Sequence, residues 1–177
     1  MCAICRGATT EEVFLGLHLQ IVDRGFAIVT IGTRAENKGW AYTIGLIDST
    51  KHPELVVAGY PLGHAVDVLD ELGAAVMAGV RLDSPGDHLV LRCTEIGTRL
   101  VHERHLQEGL MAFWYSYYEG VGRQGLVPQA LQIVLPDDDC CFEHQTAQPR
   151  LDQSHHVPFD GITRQQRRAR PTAKRQR

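Results

Sequence analysis

The sequence predicts an α+β fold, with a mostly antiparallel sheet of about six strands and two to three helices packed against it. Short β-rich runs alternate with stretches of helical periodicity, and no internal repeat is visible. The chain has 177 residues and 44% hydrophobic residues, which is enough for one core. We therefore expect a single globular domain over residues 1–145 and a polar loop with a disordered basic tail over 146–177.

The first helix is predicted over residues 10–24. Thr9 and Glu12 have the spacing of a capping box, in which each side chain can satisfy a backbone N–H at the start of the helix. Apolar side chains then recur at helical spacing, and Gly25 can adopt the positive φ that commonly ends a helix.

Three strands and a second helix are predicted in the next part of the chain. The runs 26–31 and 40–47 flank a polar, glycine-bounded turn and predict a hairpin. The run 55–60 is apolar enough for a central strand. Pro61 then begins a helix whose apolar residues up to Val80 follow a 3.6-residue period.

The second half of the chain predicts two more paired strands, an aromatic helix and a last strand. Alternating residues over 88–96 indicate a strand that pairs with 98–105 across Gly97. The run 107–119 is typical of a helix with a half-buried aromatic cluster. Residues 129–136 predict the final strand.

Charge is distributed unevenly along the chain. The net charge is −3, yet residues 164–177 contain seven basic residues and no acidic one, so residues 1–163 carry about −10. This tail could bind nucleic acid or an acidic partner, or it could be a solvated, disordered extension. No apolar run approaches the ~20 residues that span a bilayer, and no secretory signal is present. We therefore expect a cytoplasmic protein without a membrane partner.

The five cysteines predict free thiols or a metal site. An odd count without a secretory signal argues against a disulfide framework. Cys2 and Cys5 form a CxxC pair that could supply two thiolates to zinc, with Cys140, Cys141 and His144 completing the set. A redox pair at the start of the first helix and thiols without a specific role are the alternatives.

The loop in "GWAYTIGLIDSTKHPELVVAGYP" (39–61) is a candidate catalytic site. Pro53 restricts the backbone before it to extended geometry, and Glu54 follows His52 at the two-residue spacing that places side chains on one side. Together with Tyr42 on the preceding strand, these groups could perform general acid–base chemistry. Alternatively, His52 and Glu54 hydrogen-bond each other and stabilise the turn.

The aromatic run "FWYSYY" (113–118) suggests a binding surface for a planar ligand. Such side chains can stack on a flavin or a nucleic-acid base. The pocket would lie between the "WAYTIGL" strand, the His52–Glu54 loop and this helix, with Trp40, Thr43, Trp114 and Tyr115 as the candidate ligand-binding residues. Packing of the aromatic rings in the core is the alternative explanation.

Three segments of the chain resemble one protein family. "WAYTIGL" (40–46), "HPELVVAGYP" (52–61) and "ALQIVLPDDD" (130–139) are similar to motifs of the bacterial domain-of-unknown-function 4262 family, and the resemblance covers residues 1–145. Family members often continue into a Phe-Pro-Trp-like segment, of which only Phe142 is matched here. The resemblance implies a domain type but no activity.

These patterns leave three functional hypotheses. A phosphate loop, a Rossmann fingerprint, a nucleophile elbow and an HExxH motif are all absent. The first hypothesis is a small-ligand-binding or enzymatic domain with a pocket near the loop 52–54. The others are a non-catalytic interaction protein with an acidic body and a basic tail, and a zinc-stabilised module built on the CxxC pair.

Overall fold

The structure is a computed structural model that describes residues 7–32, 38–82, 88–91, 94–135 and 148–153. The elements of the described residues are, in chain order, α1 (Thr10–Arg24), β1 (Ala27–Gly32), β2 (Lys38–Ile44), α2 (Leu46–Ser49), β3 (Glu54–Pro61), α3 (Leu62–Met77), β4 (His88–Leu91), β5 (Thr94–Leu100), α4 (Glu103–His105), a π-helical turn (Leu106–Leu110), α5 (Ala112–Gly120) and β6 (Ala130–Val134).

The described strands form one six-stranded sheet in the order β1-β2-β3-β6-β5-β4, which confirms the predicted α+β class. Neighbouring strands are antiparallel except for β3 and β6, which run parallel. Helix α3 packs on one face of the sheet, whereas α1 and α5 contribute to the core on the other face. None of the described helices has the length and apolar character that would let it cross a membrane.

Helix α1 confirms the predicted boundaries and both end signals. The Thr9 side chain accepts a hydrogen bond from the Glu12 N–H, and the Glu12 carboxylate accepts one from the Thr9 N–H. Gly25 has a φ of 87° and its N–H donates to the Ile21 carbonyl, so the helix ends where a left-handed residue is available. Leu17 is the helix residue buried in the core.

Strand β3 is central, as its apolar sequence predicts. It lies between β2 and β6, and its residues from Glu54 to Ala58 are at most 1% exposed. The hairpin of β1 and β2 is also confirmed. Pro61 is both the last residue of β3 and the N-cap of α3, so the second predicted helix begins at Leu62 and ends at Met77.

The predicted turn at Gly97 is wrong. Gly97 lies inside β5, where it pairs with His88 on one side and with Val134 on the other. Strand β4 ends at Leu91 and β5 begins at Thr94, and the predicted strand 98–105 ends early, at Leu100. His102 caps the next helical turn by accepting a hydrogen bond from the Arg104 N–H, which stops the extended chain.

The short helix α2 was not predicted.

The predicted helix 107–119 is interrupted in the structure. Gly109 has a φ of 110°, which L side chains rarely adopt, so the chain leaves the π-helical turn there and α5 starts at Ala112. The aromatic cluster is more buried than predicted on one side of α5: Trp114, Tyr117 and Tyr118 are buried, while Tyr115 is 37% exposed.

Residues 148–153 pack against the domain, a contact that the prediction of a loop after residue 145 did not include. The Gln132 side chain on β6 donates to the Pro149 carbonyl at 2.7 Å and accepts from the Leu151 N–H at 3.0 Å. Leu151 is fully buried in the core layer of α1 and α5. One amide side chain therefore satisfies two backbone groups of this segment.

Replacement of Gly73 in α3 tests the packing of this helix against Phe26, the residue before β1. A Cβ at Gly73 would collide with the buried ring of Phe26, whereas a Cβ at Gly16 in α1 would meet no atom within 4 Å. We expect Gly73→Ala to lower the free energy of unfolding by about 1–3 kcal/mol through overpacking. Gly16→Ala should raise it by about 0.5–1 kcal/mol, because alanine favours a helix. Urea denaturation of both variants measures this, and equal effects would contradict the packing.

Candidate functional site

Glu54 is a carboxylic acid in the centre of the sheet. The ladder between β2 and β3 ends at the pair Tyr42–Val56, and Glu54 lies at the first position of β3 just beyond it. Its backbone N–H donates to the Gln129 carbonyl at 2.8 Å, next to the parallel strand β6. The side chain is 0% exposed, so its carboxyl group must find all of its partners inside the protein.

Neutral donors from three elements surround the Glu54 carboxyl. Thr43 donates its hydroxyl to Oε2 at 2.6 Å, while the Gly45 N–H and the Trp114 indole N–H reach Oε1 at 2.9 and 3.3 Å. The Thr43 hydroxyl also accepts from the Leu55 N–H at 2.9 Å. The Thr43 side chain thus continues the contact between β2 and β3 where the backbone ladder stops.

Burial raises the pKa of Glu54 to about 7. The hydrogen bonds from Thr43, Gly45 and Trp114 favour the charged form and oppose this shift, yet desolvation is the larger effect. Glu54 can therefore hold or release a proton close to neutral pH, which an exposed carboxyl cannot do.

Tyr42 and Trp40 attach the helical segment to β2. The Tyr42 hydroxyl accepts a hydrogen bond from the Phe113 N–H at 3.2 Å in the first turn of α5. The Trp40 indole N–H donates to the Leu110 carbonyl at 2.9 Å at the end of the π-helical turn. Burial raises the pKa of Tyr42, with the charge of Glu54 as a smaller cause, so the phenol keeps its proton.

The hydrogen-bond partners of His52 are separate from those of Glu54. Its Nδ1 is 2.6 Å from the Pro53 carbonyl, and its Nε2 accepts from the Leu82 N–H at 3.0 Å. These partners fit the neutral imidazole with the proton on Nδ1. Leu82 belongs to the core layer under α3, whereas Trp114 belongs to the other layer. The structure therefore brings Tyr42 and Glu54 together but directs His52 elsewhere.

Two of the four predicted ligand-binding residues line a surface pocket. Trp114 and Tyr115 contribute to a pocket of about 330 Å³ at the carboxyl end of α5. Trp40 and Thr43 do not line it, and both are buried in the core. Since Trp114 also donates to Glu54, one side chain connects the pocket wall to the buried acid.

Of the remaining pocket residues, only Tyr118 belongs to the aromatic run that suggested a binding surface. Tyr118 lines the pocket, and its buried hydroxyl has no hydrogen-bond partner among the described residues. Burial raises the pKa of Tyr118, and the charges of Glu54 and Asp48 raise it further. Arg123 also lines the pocket and pairs with Asp48 at 2.6 Å. Asp48 lies in α2, so only the folded chain brings these groups together.

The comparison with protein families identifies the domain. The family model described as Domain of unknown function (DUF4262) matches residues 20–147, which is more than half of the chain. The chain belongs to the DUF4262 family. The matched range of this DUF4262 protein contains the donors to Glu54 and the pocket residues from α5. Comparison with curated proteins and with solved structures returns no match.

The predicted zinc ligands of this DUF4262 protein lie outside the described residues. They are the CxxC pair, Cys2 and Cys5, and the three candidates near the end of the matched range, Cys140, Cys141 and His144. The basic tail 164–177 lies outside them as well. Within the part of the chain that the structure describes, no group of three or more His, Cys, Asp or Glu side chains could hold a metal ion.

Replacement of Glu54 by Gln tests the buried acid of the DUF4262 domain. The glutamine can accept from Gly45 and Trp114 and donate to Thr43. Because the folded pKa of about 7 lies above the ordinary value of 4.5, the protonated acid stabilises the fold below pH 4.5. That stability is lost as the pH rises to about 7. We expect the free energy of unfolding of the wild type, relative to Glu54→Gln, to fall by about 2 kcal/mol from pH 5 to pH 8.

Urea unfolding of both proteins at pH 5, 6.5 and 8 measures this difference. Asp67→Asn on the exposed face of α3 is the matched control, and its difference from the wild type should change little over the same range. A wild-type-to-Glu54→Gln difference that is constant from pH 5 to pH 8 would show that the buried carboxyl does not take up a proton.

Proposed function

We propose that this DUF4262 protein binds a small molecule in the pocket at the carboxyl end of α5. The observation that carries the proposal is the Tyr118 side chain, which lines the pocket and whose buried hydroxyl makes no hydrogen bond of ordinary geometry with a described group, although the Asp48 side chain approaches it. Buried polar groups are nearly always hydrogen-bonded, and an unsatisfied one costs about 1–3 kcal/mol. A ligand that bonds to this hydroxyl would recover that free energy.

The dimensions and lining of the pocket support a small organic ligand. Its volume of about 330 Å³ lies at the lower end of the range of about 300–1,000 Å³ that is usual for ligand sites. Aromatic rings from Trp114, Tyr115 and Tyr118 supply apolar contact, and Arg123 and Gln124 supply polar groups. This combination of an apolar wall with a few polar groups is typical of sites that fix the orientation of a small ligand.

The buried acid supports the same location. Trp114 contributes to the pocket and donates its indole N–H to Glu54, so a ligand against Trp114 lies close to a carboxyl that titrates near neutral pH. Perturbed carboxyl groups beside clefts are frequent at functional sites. We assign Glu54 the role of setting the charge of the inner pocket wall.

Catalytic roles for His52, Glu54 and Tyr42 stay predictions. Both ring nitrogens of His52 are engaged in hydrogen bonds within the chain, and the Tyr42 hydroxyl accepts from the backbone of α5. Ligand binding at the pocket requires neither of them to react. The interaction-protein and zinc-module alternatives depend on residues outside the described ranges, so no described contact favours either over the pocket.

Screening of a small-fragment library against ¹⁵N-labelled protein tests the proposal. We expect the amide shift changes of the hits to concentrate in residues 112–126. Tyr118→Phe should weaken these hits about fivefold to tenfold, because it removes one hydrogen bond worth about 1 kcal/mol and keeps the ring. Tyr115→Phe is the matched control: it removes the hydroxyl of a neighbouring, 37% exposed tyrosine and should change affinity by less than about twofold.

Two outcomes would contradict the proposal. Hits that map to the cavity between α1 and β1, which is lined by Leu17 and Val29, would place the ligand elsewhere. Equal affinities of the Tyr118→Phe and Tyr115→Phe proteins for the hits would show that the Tyr118 hydroxyl does not contribute to ligand binding.

A further inference from the structure

The charges around the pocket are mostly negative. Glu119 lines it, the Asp48 carboxylate approaches the Tyr118 hydroxyl closely enough to raise its pKa, and Glu54 lies behind Trp114. Arg123 is the cationic side chain of the lining, and its guanidinium is already paired with Asp48. With Arg123 and Asp48 neutralising each other, Glu119 and the ionised form of Glu54 leave the pocket with a net negative charge.

The backbone adds to this negative potential. The pocket lies at the carboxyl end of α5, a nine-residue helix, where the macrodipole places a partial negative charge. The last carbonyls of α5 accept hydrogen bonds from the following turn, including the Tyr118 carbonyl from the Arg123 N–H at 2.8 Å. A cation at this end of the helix is therefore stabilised, and an anion is repelled.

The aromatic walls favour the same sign of charge. Trp114 and Tyr115 meet edge to face, with ring centroids 5.3 Å apart and an interplanar angle of 80°. Trp114 and Tyr118 are tilted at 50° with centroids 4.4 Å apart. The face of an aromatic ring attracts a cation, and Tyr115, which is 37% exposed, is the most accessible of the three rings.

Resting on the proposed function, we infer that the pocket takes an organic cation, an amine or guanidinium group attached to a small apolar body. Burial and the charges of Glu54 and Asp48 raise the pKa of Tyr118, so its hydroxyl keeps its proton. The oxygen lone pairs then remain to accept a hydrogen bond from the ligand N–H. The apolar body of the ligand contacts the rings of Trp114 and Tyr115.

Three probes of matched shape and different charge test the inference: benzylamine, benzyl alcohol and benzoate. Each carries one phenyl ring, and at pH 7.5 they present an ammonium group, a neutral hydroxyl and a carboxylate. We expect the dissociation constant of benzylamine, measured by titration of amide shifts in 112–126, to be at least about tenfold lower than that of benzyl alcohol. Benzoate should bind more weakly than both.

Two variants separate cation recognition from anion recognition. Arg123→Gln removes the positive charge of the wall and should tighten benzylamine about threefold, as expected for one like charge near the surface. Asp48→Asn leaves Arg123 without its carboxylate partner, so it should weaken benzylamine about threefold and strengthen benzoate. Melting temperatures close to that of the wild type would establish that both variants are folded.

The outcomes distinguish the ligand class from the site itself. Benzyl alcohol or benzoate binding in 112–126 as tightly as benzylamine would overturn the cation inference and leave the proposed pocket intact. Loss of benzylamine binding in Arg123→Gln would also overturn it, because that result makes Arg123 the binding group. Absence of binding by all three probes overturns the inference, and absence of any fragment hit in 112–126 overturns the proposed function as well.

Discussion

The buried carboxyl of Glu54 is the contact on which the arrangement of this sheet and its helices depends. Thr43 at the end of β2, Gly45 at the start of α2 and Trp114 in α5 all donate to it, while its own N–H joins β3 to the segment before β6. Without the two carboxyl oxygens, these donors would be left unsatisfied in the core. A single side chain therefore sets the relative positions of the ends of several elements.

A core acid of this kind contributes specificity at the expense of stability. Burial of a carboxyl without a cationic partner is unfavourable, and the raised pKa of Glu54 expresses this free-energy cost. The directional hydrogen bonds from Thr43, Gly45 and Trp114 offset part of this cost, and they form only when the three donors are correctly placed around the carboxyl. Two further polar contacts from the same face, those of Trp40 and Tyr42, fix the start of α5. The carboxyl end of α5 is thus left to form the pocket wall.

Local signals predicted most of the fold, and long-range contacts account for the errors. The capping box of Thr9 is complete within four residues, so α1 could be placed from the sequence alone. Gly97 resembled a turn residue, but its neighbours in β4 and β6 make it a strand residue. At the site, Glu54 was identified from the loop motif. The direction of His52 depends on Leu82, and the unpaired hydroxyl of Tyr118 depends on packing, neither of which has a local signature.

The hydrogen bonds of Gln132 have a consequence for the limits of the domain. Both ends of its amide are used by the backbone of 148–153, which lies beyond the range 20–147 that identifies the family. Likewise, more than half of α1, with its capping box and Leu17, precedes residue 20. A fragment trimmed to the recognised range would lose the core residues Leu17 and Leu151 and would leave the Gln132 amide without these backbone partners. The packed core of the domain therefore extends beyond both ends of the range by which the family is recognised.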